Sequence, residues 1–385
     1  MSIGRILLFL VVTSAVSFGL HYFVWVRLVR DAALPPGLHR GLTIGIIVLG
    51  VFMSLSFPLT RFTPRTLGTP IAWVAYTWMG LLALWFFTLV PMEVVRLVGR
   101  VSIGPDADRR LFLSRAMAGA AGFIGLGLSA WGMASVFSRV GVEKVRVTLA
   151  KLPKALDGYT IVQMSDIHVG PTIGLDFIEQ LVATANAESP DMIVITGDLV
   201  DGSVASLGAF VEPLKNLRAK DGVYFITGNH EYYSGADAWI AHLTSLGIRV
   251  LRNERVAIRD GAFDLAGVDD TSSKSFGNGH GQDVARAMRD RDPARAVVLL
   301  AHQPKAIFDA VKHGVDLQLS GHTHGGQIWP WGYAVKLDQP HVQGLATHEG
   351  SNTQIYTSRG TGYWGPPMRV GAPAEVTRIE LYSGA

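Results

Sequence analysis

Tyr159-Thr160-Ile161-Val162-Gln163-Met164-Ser165-Asp166-Ile167-His168 joins a run of apolar and β-branched residues to an Asp-x-His turn. An apolar run of this length, bounded by turn residues, reads as a buried strand. Outward from it, residues 192–196, 223–227, 296–301 and 315–319 have the same character. Polar signatures follow them: Gly197-Asp198 with Asp201, Gly228-Asn229-His230-Glu231, Ala301-His302, Gly321-His322 and Thr323-His324. Ligands of open α/β sheets gather outside the carboxyl ends of the strands, so these distant residues should converge at one sheet edge. Hard oxygen donors mixed with imidazoles are what two adjacent divalent metals require, and such pairs act on phosphate esters. Taken alone, Asp166-Ile167-His168 could be an ordinary solvated turn. Two imidazoles amid the glycines of residues 321–326 serve no packing need.

Between the strands, Phe177, Ile178, Leu181, Val182 and Ala185 recur at helical spacing, as do Trp239, Ile240, Leu243 and Leu246. Strands alternating with amphipathic helices give an α/β layout. Later strands around residues 355–357 and 376–381 lack intervening helices and suggest a second sheet. Residues 270–281, rich in Ser, Gly and Asn, read as a surface loop.

The first third of the chain differs in kind. Runs at 6–26, 41–60, 71–92 and 116–137 contain no Asp, Glu, Lys or Arg. A helix of about 20 apolar residues spans a hydrocarbon core, so each run is a candidate transmembrane helix. Arg5 before the first run would suit a signal peptide, but three further spans and no small-residue cleavage site favour an uncleaved helix. Gly119, Gly122, Gly125, Gly127 and Gly132 would permit close helix contact. His21 is given no role. Residues 1–140 are therefore expected to form a four-helix membrane domain, with the catalytic domain at 145–385.

Up to Arg139 there are 12 basic residues against four acidic ones, a net of +8, and the remainder has 22 against 27, a net of −5. The high pI belongs to the membrane part and is no argument for nucleic-acid binding. Cysteine is absent, which excludes disulfides, zinc–thiolate sites and thiol nucleophiles. The loops between spans one and two, and three and four, carry Arg27, Arg30, Arg40, Arg96, Arg100, Arg109, Arg110 and Arg115, against Arg5, Arg61 and Arg65 opposite. An Arg-rich side is cytoplasmic, which puts the catalytic domain outside the cytoplasm, although Arg139, Lys144, Arg146 and Lys151 after span four pull the other way.

The ordered signatures resemble the calcineurin-like metallophosphoesterase superfamily, and the apolar part resembles its transmembrane members. The resemblance runs from about Val145 to the C-terminus. It implies a four-layer α-β-β-α sandwich of two mixed sheets behind the transmembrane bundle. It also implies two divalent ions: one held by Asp166, His168, Asp198 and His324, the other by Asp198, Asn229, His302 and His322, with Asp198 bridging and a hydroxide held between the ions. His230 would stabilise the phosphoryl group or protonate the leaving oxygen, oriented by Asp201. The nitrogen and oxygen donors suit manganese, zinc or iron.

In one respect the sequence departs from the pattern. Superfamily Ser/Thr phosphatases carry an Arg after the residue matching Asp201, where this chain has Gly202. Without that bidentate clamp on a dianion, phosphodiesters or pyrophosphates become the favoured substrates. A phosphomonoesterase or protein phosphatase, and a non-catalytic phosphate-binding domain, are the alternatives; a transporter would need charges within the spans. Residues 328–333 and 363–368 are rich in Trp, Tyr and Pro. They read equally as a packed turn or as an apolar lip receiving a lipid-linked substrate. Oligomeric state is not legible.

Overall fold

Long uncharged runs become long helices. The computed structural model describes residues 3–103, 106–277 and 279–384. Four helices come first: α1 (Ile3–Trp25), α2 (Pro36–Phe62), α3 (Arg65–Ile103) and α4 (Ala107–Phe137), with a π-helical turn, Val26–Arg30, extending α1. All four contain segments long and apolar enough to cross a membrane, at Val11–Arg30, Pro36–Ser56, Arg65–Val98 and Ala107–Phe137. They outrun the charge-free stretches because helix propensity continues past a flanking Arg. Val48, Val94, Phe112 and Phe123 on them are exposed, a pattern that water would penalise and lipid would not.

Specific contacts hold this helical unit. Trp78 Nε1–H donates to His21 Nε2 at 2.8 Å, and His21 Nδ1–H donates to the Ser17 carbonyl at 2.7 Å. Both imidazole nitrogens of His21 are thus engaged, Nδ1 within α1 and Nε2 in tying α1 to α3. Asp31 pairs with Arg27 at 2.7 Å and Arg96 at 2.6 Å, and Arg27 also pairs with Glu93. Acidic residues weigh little in the positive-inside rule, so this network leaves the Arg asymmetry standing. The expected glycine seam is narrower than its spacing suggests. A Cβ at Gly125 would collide with Trp85, whereas Gly119, Gly122 and Gly127 have no described atom within 4 Å of such a position.

A second compact unit comprises residues 136–364 and 369–385. Its first half contains β1 (Gly141–Leu149), β2 (Tyr159–Met164), α5 (Leu175–Ala187), β3 (Met192–Ile195), α6 (Val204–Val211), β4 (Val223–Phe225), α7 (Asn229–Ser234), α8 (Ala236–Ser245) and β5 (Arg249–Val250). Its second half contains β6 (Glu254–Ile258), β7 (Phe263–Gly267), α9 (Val284–Ala287), β8 (Ala296–Leu300), α10 (Ile307–Lys312), β9 (Leu317–Ser320), α11 (Gly332–Val335), β10 (Gly344–Thr347), β11 (Gln354–Thr357) and β12 (Glu375–Ser383). Two six-stranded mixed sheets result, ordered β1-β12-β2-β3-β4-β5 and β10-β11-β9-β8-β7-β6.

Apolar side chains from both sheets, among them Ile161, Val194, Leu265, Val298, Leu319 and Ile379, make one central core. The outer face of the first sheet is covered by Ile178, Leu181, Leu207, Trp239 and Leu243 from α5, α6 and α8. Ala287, Ile307 and Ala310 from α9 and α10 cover the outer face of the second. This is the four-layer arrangement that the sequence implies.

Three expectations need correcting. The strand around 376–381 does not join the later strands. As β12 it enters the first sheet, antiparallel to β2 and parallel to β1, because alternation fixes a strand's faces but not its neighbour. β1 begins before Val145, its first residues being too exposed to carry an apolar signal. The stretch 270–281 is not a simple surface loop: Asp270 and Ser273 are buried, and Asp270 accepts hydrogen bonds from Gln303 Nε2 and Ser272.

β2, β3 and β4 run parallel in one sheet, as do β7, β8 and β9 in the other. Their carboxyl ends carry all the polar signatures. Because Leu319 is fully buried between the sheets, Leu319→Ala should cost about 3 kcal/mol and lower the melting temperature by roughly 5–10 °C, measured by thermal unfolding.

Candidate metal centre

The turns after the strands are unusual in their backbone. Asp166, His168, Asp198, His322 and His324 all have φ between 52° and 70°. Non-glycine residues seldom adopt this left-handed region, and its concentration at one site marks a functional constraint. Glycines give the room: a Cβ at Gly321 would strike Ser165 Oγ and Asp166 Oδ2, and one at Gly228 would strike the Asp198 carboxylate.

All seven expected ligands except Asn229 fall into two donor groups, Asp166–His168–His324 and Asp198–His302–His322. Within the first, His168 Nε2 and His324 Nε2 are 3.1 Å apart, and His324 Nε2 is 3.5 Å from Asp166 Oδ1. Within the second, His302 Nε2 lies 3.2 Å from His322 Nδ1 and 3.1 Å from Asp198 Oδ2. The same Asp198 oxygen is 3.9 Å from His168 Nε2, so this carboxylate stands between the groups. Asn229 belongs by another sign. Its buried Oδ1, like Asp166 Oδ2, has no hydrogen-bond partner among the described residues. Buried polar atoms are ordinarily paired, so two orphaned oxygens in one site point to ligation.

Tautomers are set from behind. His302 Nδ1–H donates to the Thr196 carbonyl at 2.8 Å, which turns Nε2 toward Asp198. His168 Nδ1–H donates to Asp201 Oδ1 at 3.1 Å, which turns its Nε2 toward His324. Such outer partners fix ring orientation and ligand basicity. Asp201 has a double role here, because the same Oδ1 accepts from His230 Nδ1–H at 2.6 Å. The sequence assigned it to His230 alone.

Charge follows the same logic. Burial pushes the Asp166 carboxyl up. Burial also opposes ionisation of Asp198, but His302 and His230 hold it well below the usual carboxylate range. His302 is buried, which disfavours its proton, yet Asp198 raises it well above an ordinary histidine. Burial and the neighbouring His302 push His322 down to about 3, and burial with His168 lowers His324, so both keep open lone pairs at neutral pH. For His230 burial is outweighed by Asp198 and Asp201, which lift it to about 9. Its imidazole is thereby biased toward the charged form. The donor set, the orphaned atoms and the glycine-cleared space all fit divalent cations.

Sequence reasoning missed what holds the turns. Glu231 is fully buried and accepts from the backbone N–H groups of Gly228 at 2.7 Å, Asp198 at 2.9 Å and Leu199 at 2.8 Å. It therefore clamps the β3 turn to the β4 turn, and burial together with Asp198 pushes its pKa up to about 7. Its place directly after His230 was the available signal. Arg369 had none. Its buried guanidinium donates to the carbonyls of Gly362 at 2.8 Å, Ala372 at 2.8 Å and His324 at 3.3 Å. The aromatic segments divide between the two readings: Tyr363 is packed inside, whereas Trp329, Trp331, Tyr333 and Trp364 are exposed.

A family profile, "Calcineurin-like phosphoesterase", matches residues 159–326. A metallophosphoesterase of Helicobacter pylori strain J99 is 39% identical over 245 residues, covering 63% of this chain and 64% of that protein. A Bos taurus "Transmembrane protein with metallophosphoesterase domain" is 39% identical over 295 residues, 74% of this chain and 66% of that protein. A metallophosphoesterase of Aquifex aeolicus is 36% identical over 241 residues, 62% of this chain and 91% of its own length. The chain belongs to the calcineurin-like phosphoesterase family. The matched region spans just under two thirds of the Helicobacter and bovine relatives. Among solved structures, a dimetal phosphatase from Danio rerio aligns at 12% identity with a TM-score of 0.35, over 59% of this chain and 93% of that one, and adds nothing to what the two sheets already establish. In this family member, Glu231→Gln would set an amide NH2 against a backbone N–H. The expected cost is about 2–3 kcal/mol with weakened metal uptake, read by thermal unfolding and elemental analysis.

Proposed function

We propose that this protein is a membrane-anchored hydrolase of phosphodiester or pyrophosphate bonds that works through two divalent cations, with residues 1–140 as the anchor and 145–385 as the catalytic domain. The observation that carries the reading is the buried Asp198 carboxylate between two donor groups, with the Asp201–His230 pair beside it. Asp166, His168, Asp198 and His324 would hold one cation, and Asp198, Asn229, His302 and His322 the other. Cations so held lower the pKa of water and neutralise phosphoryl charge.

His230 keeps Nδ1–H on Asp201, and because Asp198 and Asp201 raise its pKa to about 9, Nε2 also carries a proton, the one that a leaving oxygen needs. Asp201 stays ionised, held down against burial by His168 and His230. A mere binder of phosphate would have no use for this acid. Gly202 stands where a guanidinium would grip a dianion, and the buried Arg369 spends its donors on carbonyls. Monoanionic phosphorus is therefore preferred. Manganese, zinc and iron match the donors. The exposed Trp329, Trp331, Tyr333 and Leu337 favour a lipid-linked substrate. The Arg-rich loops favour an extracytoplasmic domain, which reporter fusions at Ala385 would test.

The full chain loaded with manganese, zinc or iron should bind two ions and hydrolyse a generic phosphodiester. His230→Ala should keep both ions and lose about 10²–10⁴ in kcat. Asp198→Asn should lose metal and activity together. Retained activity in both variants would refute the assignment. A lipid-linked pyrophosphate should outpace a water-soluble one, and replacing Trp329 and Trp331 should erase that difference.

A further inference from the structure

We infer that Trp364 and Tyr233 form a subsite for the leaving group, one that selects phosphate esters whose leaving alcohol presents a flat ring face. This rests on the hydrolase reading above and adds the substrate class. In that reading His230 protonates the leaving oxygen, so the group attached to that oxygen must lie beside its imidazole, which Asp201 holds through Nδ1. The Tyr233 ring is 5.4 Å from that imidazole and Trp364 is 5.6 Å from it, both edge-to-face. Both side chains are nonetheless more than half exposed, at 56% and 53%. Phe276, 5.9 Å from Tyr233, extends the surface.

These rings are held in place. Gln327, three residues beyond His324, is buried and has a left-handed φ of 53°. Its Nε2–H donates to the Trp364 carbonyl at 3.0 Å, and its Oε1 accepts from the Trp364 N–H at 3.0 Å. Gln327 N–H itself donates to the His324 carbonyl at 3.0 Å. One amide thus fixes the backbone of Trp364 to the loop that carries two of the metal-site histidines. Tyr233 packs against Phe276 at the other side of the imidazole. Packing alone would not explain two exposed aromatic rings flanking His230, one of them fixed through its backbone to the metal-site loop. A ring stacked there gains the dispersion and quadrupole energy of an aromatic pair, whereas an alkyl chain gains only area.

The test uses the full chain in detergent with bound metal. Binding of methyl benzylphosphonate and methyl butylphosphonate, two monoanions whose ring or chain is joined to phosphorus by a P–C bond that does not hydrolyse, is measured by titration calorimetry. The wild type should prefer the benzyl ligand by about tenfold. Trp364→Ala should abolish the preference, and Trp364→Phe, which restores a ring, should recover most of it. Gln327→Ala should reproduce the loss without adding to it in the double variant. Equal affinities in the wild type, or a preference that survives Trp364→Ala, would overturn the proposal. Turnover of methyl phenyl phosphate is followed in parallel. Ring preference without turnover keeps the subsite and removes the hydrolase reading, and turnover without ring preference does the reverse.

Discussion

Carboxylates and imidazole lone pairs repel when they are crowded together out of water, and this repulsion is what the catalytic domain is built to contain. Facing ring nitrogens 3.1–3.2 Å apart, beside two buried aspartates, form an arrangement that cations relieve and solvent cannot. Every other feature of the site follows from keeping that set in position. Glu231 ties two turns together, Thr196 and Asp201 choose tautomers, Arg369 braces the His324 turn, and glycines clear the space. The two sheets give the frame, because parallel strands deliver their carboxyl ends to one edge from several distant parts of the chain.

Much of this was legible before any coordinates. Apolar runs ending in Asp, Asn or His carry their own placement, since a buried strand must end in a turn and the turn must sit at the sheet edge. Hence Asp166, Asp198, Asn229 and His302 could be assigned to one locus from spacing alone. The helices α5 and α8 were equally plain, their buried Ile178, Leu181, Trp239 and Leu243 recurring at helical spacing. What could not be read depends on contacts between distant segments. The partner of β12, the burial of Asp270 and the bracing by Arg369 leave no local periodicity. Glu231 and Gln327 fall in a middle ground: each sits next to a signature, but its role lies in amide bonds that only the folded chain reveals.

The apolar third of the chain yields to the same physics with a different solvent. Its four helices turn Val48, Val94 and Phe123 outward and keep their polar contacts, such as Trp78 to His21 and Asp31 to Arg96, between themselves. That inversion is what a hydrocarbon environment demands. The glycine spacing in α4 over-predicted close packing, for Gly125 against Trp85 needed the missing Cβ whereas Gly119, Gly122 and Gly127 did not.

A single oxygen, Oδ1 of Asp201, accepts from both His168 and His230. Electron density drawn toward one ring is withheld from the other. In the proposed reaction, loss of a proton from His230 would leave the carboxylate freer to polarise His168 and make it a stronger donor. Acid and ligand would then be two ends of one lever with its pivot at residue 201.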